Sequence, residues 1–338
     1  MKEDNKLLAW SAVGIGAGFT IAYMLRKKKE YNINGKVVLI TGGSRGLGLN
    51  IARQLVAEGA KLAICARSEQ ELENAVLELN APDRTVLAIQ CDITDIWQVD
   101  TMMEEIRQRL GPVDVLINNA GIIQVGPFED MSIDDFEDAM KIHFWGPLYT
   151  TMAVIGDMKK KRDGRIVNIS SIGGKVTVPH LLPYTASKFA LTGLSEGLRT
   201  ELKKYNIAVT TVTPGLMRTG SIHNITLKGQ HKKEYAGFSI MSALPLITVS
   251  AGYAAKKIVK AIKTGEGSLT ISFPAKIMAA LNQRFPNFTS NMFALIDELL
   301  PKPTGSKKSK KAEESYSSLS PSVLTIMSDK AAYENNEF

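Results

Sequence analysis

The chain has 338 residues, 44% hydrophobic and 22% charged, an ordinary globular composition with room for one large domain or two small ones. Its net charge of +7 divides into +3 over residues 1–30, +3 over the middle 270 and +1 over residues 301–338, which argues against a nucleic-acid partner. Two cysteines exclude a disulfide framework, and four scattered histidines without metal-ligand spacing give no reason to expect a metal.

Leu7 to Leu25 is a run of 19 uncharged residues, enough as a helix to cross roughly 28 Å of hydrocarbon. Trp10 and Tyr23 lie near its ends, and Arg26-Lys27-Lys28-Lys29 follows at once. No Ala-x-Ala cleavage site precedes the basic cluster, so residues 1–30 read as a single-pass membrane anchor with its basic flank. The positive-inside bias then puts everything after it on the cytoplasmic side.

From Lys36 the chain alternates strands and helices. Apolar runs at 37–41, 61–66, 85–91 and 113–117 read as strands, and 47–57, 69–79 and 95–110 as the helices between them. Helices of this length between strands imply βαβ units and a parallel sheet. Cys65 and Cys91 fall in such strand-like runs and read as buried free thiols. The first strand-to-helix turn is Thr41-Gly42-Gly43-Ser44-Arg45-Gly46-Leu47-Gly48. Glycines there let backbone amides approach a phosphate at a helix N-terminus.

Arg165 to Ile169 is a further buried-strand pattern, ending at Ser170-Ser171. After Pro183 the pattern turns helical, with Phe189, Leu191, Leu194, Leu198 and Leu202 at helical spacing. Tyr184 and Lys188 are four apart and share one face of that helix. A phenol of pKa about 10 is a poor acid–base catalyst at neutral pH unless a nearby cation lowers it. Lys188 is placed to be that cation, and Ser171 to bond a substrate oxygen as charge develops on it. Tyr-x-x-x-Lys alone is equally an ordinary helix surface.

The ordered set TGxxxGxG at 41–48, Asp92, Asn118-Asn119-Ala120-Gly121, Ser171…Tyr184-x-x-x-Lys188 and Pro214-Gly215 with Thr219 resembles the short-chain dehydrogenase/reductase family over roughly 35–270. The resemblance implies a doubly wound α/β Rossmann fold with a seven-stranded, mostly parallel sheet, continuing through strands at 208–212 and 268–273. It implies a nicotinamide dinucleotide held by Gly42, Ser44, Arg45, Gly46, Leu47 and Gly48 of the turn, by Asp92 and Ile93 at the adenine, and by Asn119, Ala120 and Gly121. Pro214, Gly215 and Thr219 would border the nicotinamide, Lys188 would bind its ribose, and Tyr184 would donate the proton. The family pairs through the helices preceding and carrying Tyr184, so a homo-oligomer is implied. Where the family has an asparagine that holds a relay water, this chain has His143, which either replaces it in the relay or packs in its helix.

Cofactor choice is argued from charge. The end of the second strand carries Ala66-Arg67 rather than an acid, and Arg45 adds a second cation, which favours NADP(H) unless both arginines are merely solvated. Residues 216–249 form a long connection with apolar side chains, either a lid over a lipophilic ketone or aldehyde or simple packing on the domain. The catalytic domain is thus expected over 31–274, with the lid inside it. Residues 275–300 read as two short helices broken at Pro286, closing the pocket or lying on the bilayer. Residues 301–338, rich in Lys, Ser and Glu, are expected to be disordered. The function expected is a membrane-anchored NADP(H)-dependent carbonyl reductase, or the reverse alcohol dehydrogenase. The competing expectation is a non-catalytic dinucleotide-binding scaffold or redox sensor at the membrane.

Overall fold

The strand Val37–Thr41 (β1) is buried at every residue, as a central parallel strand covered on both faces must be. A computed structural model describes residues 30–81, 85–245, 247–322 and 325–337. The expected anchor at 7–25 lies outside the described residues, and no described helix is long and apolar enough to cross a membrane. The chain from Asn32 onward forms one unit.

After β1 come helix α1 (Gly46–Ala57), strand β2 (Lys61–Ala66), α2 (Glu69–Leu79), β3 (Val86–Gln90), α3 (Ile96–Arg109) and β4 (Val115–Asn118). Then follow α4 (Ile133–Met140), one π-helical turn (Lys141–Trp145), α5 (Gly146–Lys161), β5 (Gly164–Ile169), α6 (Leu182–Leu202) and β6 (Ile207–Pro214). The series ends with α7 (His231–Ala243), α8 (Ala251–Thr264), β7 (Ser268–Ile271), α9 (Phe273–Arg284), α10 (Pro286–Leu299) and α11 (Ile326–Glu334). Local capping sets several starts: Ser68, Asp95, Ser250 and Ser272 each accept a backbone N–H of the helix that follows, as the sequence chemistry of caps requires.

Seven strands form one sheet in the order β7-β6-β5-β4-β1-β2-β3. Each neighbouring pair is parallel, so the sheet is wholly rather than mostly parallel. The chain runs outward from β1 through β2 and β3, then returns to the other side of β1 with β4. The strand order reverses there, and in a doubly wound sheet the ligand crevice opens at the carboxyl ends of the two strands at that reversal. Helix α1 packs against α8, and α3 against α5, the latter pair covering a core that includes Leu39, Ile106, Leu116 and Ile166. Cys65, near the end of β2, and Cys91, just after β3, are free and buried.

The described residues of 216–249 are held by short strand pairs. Met217–Arg218 pairs with Val249–Ser250, and Thr226–Leu227 pairs with Gln124–Val125. The tail differs from its expected disorder. Lys310–Lys311 adds antiparallel to Thr226–Leu227, and α11 packs near α7. The cause is the kind of residue that anchors it. Ala312, Ser315, Ser320, Thr325, Ala332, Asn335 and Glu337 are buried, small or hydrogen-bonded rather than large and apolar, so composition alone reads as a solvated tail.

Candidate active site

The glycine turn is shaped by close approach. Gly42 and Gly46 have φ of +63° and +57°, a region that favours glycine. A Cβ on Gly42 would lie 2.9 Å from the Ala120 backbone, and Gly48 packs against the Gly42 carbonyl and Asn119 with no room for a side chain. Asn119 fastens the crossing by donating to Thr41 O (3.1 Å) and Gly42 O (2.8 Å). In return, Thr41 Oγ1 accepts the N–H groups of Asn119 and Ala120. Helix α1 starts here with no side-chain cap and no acid in its first turn, which leaves its amide end suited to an anion. This cradle fits the phosphates of a dinucleotide.

Arg45, expected as a second cation beside Arg67, is already paired. It donates to Glu71 Oε1 (2.9 Å) and Asn224 Oδ1 (2.8 Å), and lies 3.4 Å from Glu337 Oε2. Ser44 Oγ also donates to Glu71 (2.9 Å). An acid therefore does reach this part of the cavity, from the first turn of α2 rather than from the end of β2. The signal was available, since Ser68-x-x-Glu71 is a capping-box pattern that fixes Glu71 at a helix start. Arg67 is exposed at the rim of the same cavity.

Ser171 follows the end of β5, and its Oγ accepts from Gly173 N–H (3.0 Å). Tyr184 and Lys188 come up from α6 one turn apart. Burial pushes the Tyr184 phenol above its ordinary value, and its hydrogen bond with Ser171 opposes that. Burial pushes Lys188 down to about 7. The Lys188 Nζ donates to Ile169 O (2.9 Å) and sits 5.6 Å from the Tyr184 ring centroid. Burial, rather than the charge of Lys188, sets the direction of the Tyr184 shift. Desolvation dominates for both groups, and the ammonium is turned to a carbonyl of β5.

His143 lies on the π-helical turn before α5 and is fully buried. Its Nε2 accepts from Ile122 N–H (3.2 Å) and its Nδ1 is 2.8 Å from Ser187 Oγ, so the Nδ1–H tautomer donates to Ser187. Ser187 in turn donates to Tyr184 O (2.8 Å), and the His143 ring meets Tyr184 edge-on at 5.4 Å. Burial first, and Lys188 second, hold the imidazole well below its usual pKa, so it is neutral. The sequence motif names Asn118 without a role and leaves Asn168 unmarked. Thr150 donates to Asn118, Asn118 to Asn168 (2.8 Å) and Asn168 to Ser195 (3.0 Å), a buried chain that ties β4, β5, α5 and α6 together below the site.

A cavity of about 760 Å³ joins these parts. It is lined by Ser171, Tyr184, Lys188, His143 and every residue expected to hold the cofactor except Gly48, which lies beneath the turn. Asp92 and Ile93 line one end, with the Asp92 carboxylate also accepting from Thr94. Pro214, Gly215 and Thr219 line the other. Beyond them the wall is mostly apolar, with Phe238 and Met241 from α7, Met278 from α9 and Phe293 and Ile296 from α10, and it includes the bonded pair His180 and Glu234. The long connection therefore divides its labour: Leu216, Met217, Phe238 and Met241 face the cavity, while Leu227 and Tyr235 pack in a small separate core with Val125 and Ala312.

The seven-stranded parallel sheet and the Ser-Tyr-Lys cluster at its carboxyl edge define a class, and the family profile described as short chain dehydrogenase matches residues 36–229. The chain belongs to that family. Among its relatives, the 3-dehydrosphinganine reductase of Danio rerio is 37% identical over 211 residues, which are 59% of this chain and 64% of that protein. The 3-ketodihydrosphingosine reductase of Bos taurus is 37% identical over 62% of this chain and 65% of its own length. The chain thus spans just under two thirds of the length of these two relatives. The dehydrogenase/reductase SDR family protein 7-like of Anopheles gambiae is 33% identical over 75% of this chain and 80% of its own length. A crystal structure of a short-chain dehydrogenase from Streptomyces avermitilis superposes with a TM-score of 0.68 at 30% identity, covering 78% of this chain and 97% of that one.

Proposed function

We propose that the protein is an NADP(H)-dependent reductase of a lipophilic ketone, of the long-chain 3-keto amine class named in two of its relatives. The observation that carries this is the convergence of Ser171, Tyr184 and Lys188 on one cavity whose far wall is mostly apolar. A bound nicotinamide dinucleotide supplies the hydride. Tyr184 delivers the proton to the carbonyl oxygen, and Ser171 Oγ donates to the same oxygen as negative charge grows on it. Lys188, near 7, is close enough to its midpoint to exchange a proton at neutral pH. His143, neutral and bonded at both nitrogens, positions Ser187 and the backbone of Ile122.

The phosphate cradle would be the glycine turn, with Arg67 and Arg45 toward a 2′-phosphate. The pairing of Arg45 with Glu71 leaves Arg67 as the main determinant. Membrane attachment rests on the uncharged run at 7–25 and on the outer faces of α9 and α10, where Phe273, Phe288, Leu295 and Leu299 are exposed. Exposed Met152 on α5 and Phe189 on α6 support pairing of two copies through those helices. The test is NADPH oxidation by the purified full chain with long-chain 3-keto amines, steroids and short ketones. Turnover confined to long-chain ketones supports the reading, and equal turnover of short polar ketones refutes its lipophilic part.

A further inference from the structure

Three successive residues near the C-terminus lie in the glycine cradle. Asn335 O accepts the N–H of Gly46 (2.9 Å), the first amide of α1. Asn336 Nδ2 donates to Ser44 O (2.9 Å) and Glu71 O (3.1 Å). The Glu337 carboxylate lines the cavity, lies against Gly46 where a Cβ would stand, and is held by Arg45 and Asn224. A carboxyl group therefore sits at the amide end of α1, where a dinucleotide phosphate would meet the same helix end and the same arginine.

The docking is built rather than incidental. Asn335 accepts from Asn50 (2.6 Å) and Arg53 (3.2 Å) and donates to Thr219 O (3.1 Å). Gly220, at φ +91°, lets the lid backbone run against Ala332 so closely that any side chain would collide with it. His223 of the lid lies 3.2 Å from Asp329 of α11. The tail thus bridges the glycine turn and the lid, and Glu337 at its end reaches the cavity.

We propose that the segment Ile326–Glu337 is a self-ligand of the dinucleotide-phosphate subsite, so that cofactor binding requires the tail to leave and the docked tail holds the enzyme in a low-affinity state. This rests on the reading of the glycine turn as the phosphate cradle. If about nine molecules in ten carry a docked tail, the apparent Kd for NADPH is raised about tenfold.

The test compares the full chain with a version ending at Ser322 and with the full-length variant Asn335→Ala, reading NADPH binding by fluorescence. Both altered proteins are expected to bind NADPH at least about tenfold more tightly, and a synthetic peptide of residues 325–338 is expected to restore weak binding to the shortened chain by competition. Hydrogen exchange of 326–337 in the full chain should quicken when NADPH is added. Equal or weaker binding by the Asn335→Ala protein, with exchange in the tail slowed by NADPH, would overturn the proposal and make the tail part of the bound-state site. Absence of NADPH binding by all three proteins would instead remove the dinucleotide reading itself, and the proposal with it.

Discussion

Replacing His143 with Phe separates a relay from a support. The ring packing against Tyr184 at 5.4 Å is kept in kind, while both nitrogens are lost. Ser187 retains its bond to Tyr184 O, but the Ile122 N–H loses its acceptor in a part-buried setting. An unsatisfied group of this kind costs about 1–3 kcal/mol, which for a chain of this size lowers Tm by roughly 1.5 °C per kcal/mol. If His143 only positions Ser187 and Ile122, kcat should fall less than about tenfold and the pH profile should keep its shape. A residue in the proton path would instead cost on the order of a hundredfold or more. The assay is thermal unfolding alongside kcat against pH, with NADPH affinity measured on the same protein. Unchanged stability, or a kcat collapse with normal NADPH affinity, would refute the positioning role.

Gly42→Ala should abolish measurable NADPH binding, because a Cβ there sits 2.9 Å from the Ala120 backbone at a φ of +63°; titration of the purified variant checks it, and normal affinity would contradict the cradle. Arg67→Glu should raise KM for NADPH by about ten- to a hundredfold, the value of a charge-assisted hydrogen bond, and leave KM for NADH nearly unchanged. Parallel loss with both cofactors would deny Arg67 its role at the 2′-phosphate. Burial raises the docked Glu337 carboxyl to about 7, with Arg45 and Asn224 opposing and Glu71 adding to the rise. Docking therefore takes up a proton: it is strongest below the ordinary carboxylate range, weakens as pH rises towards about 7, and is flat above. The ratio of NADPH Kd between the full chain and the chain ending at Ser322 should be larger at pH 6 than at pH 8, and the opposite trend would contradict that assignment.

What the sequence carried openly was local. The glycine turn between a strand and a helix, and Tyr184 and Lys188 one turn apart, are short-range patterns whose geometry follows from helix and strand periods. So is the alternation that gave the parallel sheet. Electrostatics at the site was not legible, because its sign depends on burial. Lys188 was expected to lower the phenol, yet desolvation raises Tyr184 and lowers Lys188 together. Glu71 lies outside a charge argument made at the end of β2, because the first turn of the next helix reaches back to Ser44. The tail was misjudged because alanines, serines and asparagines dock through hydrogen bonds and close backbone approach, which hydrophobicity does not register. The π-helical turn that aims His143 inward left no mark in the residue pattern.

The phenol at position 184 is the centre of the account, and Tyr184→Phe tests it most directly. With NADPH and a long-chain ketone, the variant should lose at least about a hundredfold in kcat while its Kd for NADPH stays within about twofold of the parent. Turnover that survives the loss of this single hydroxyl would contradict the assignment.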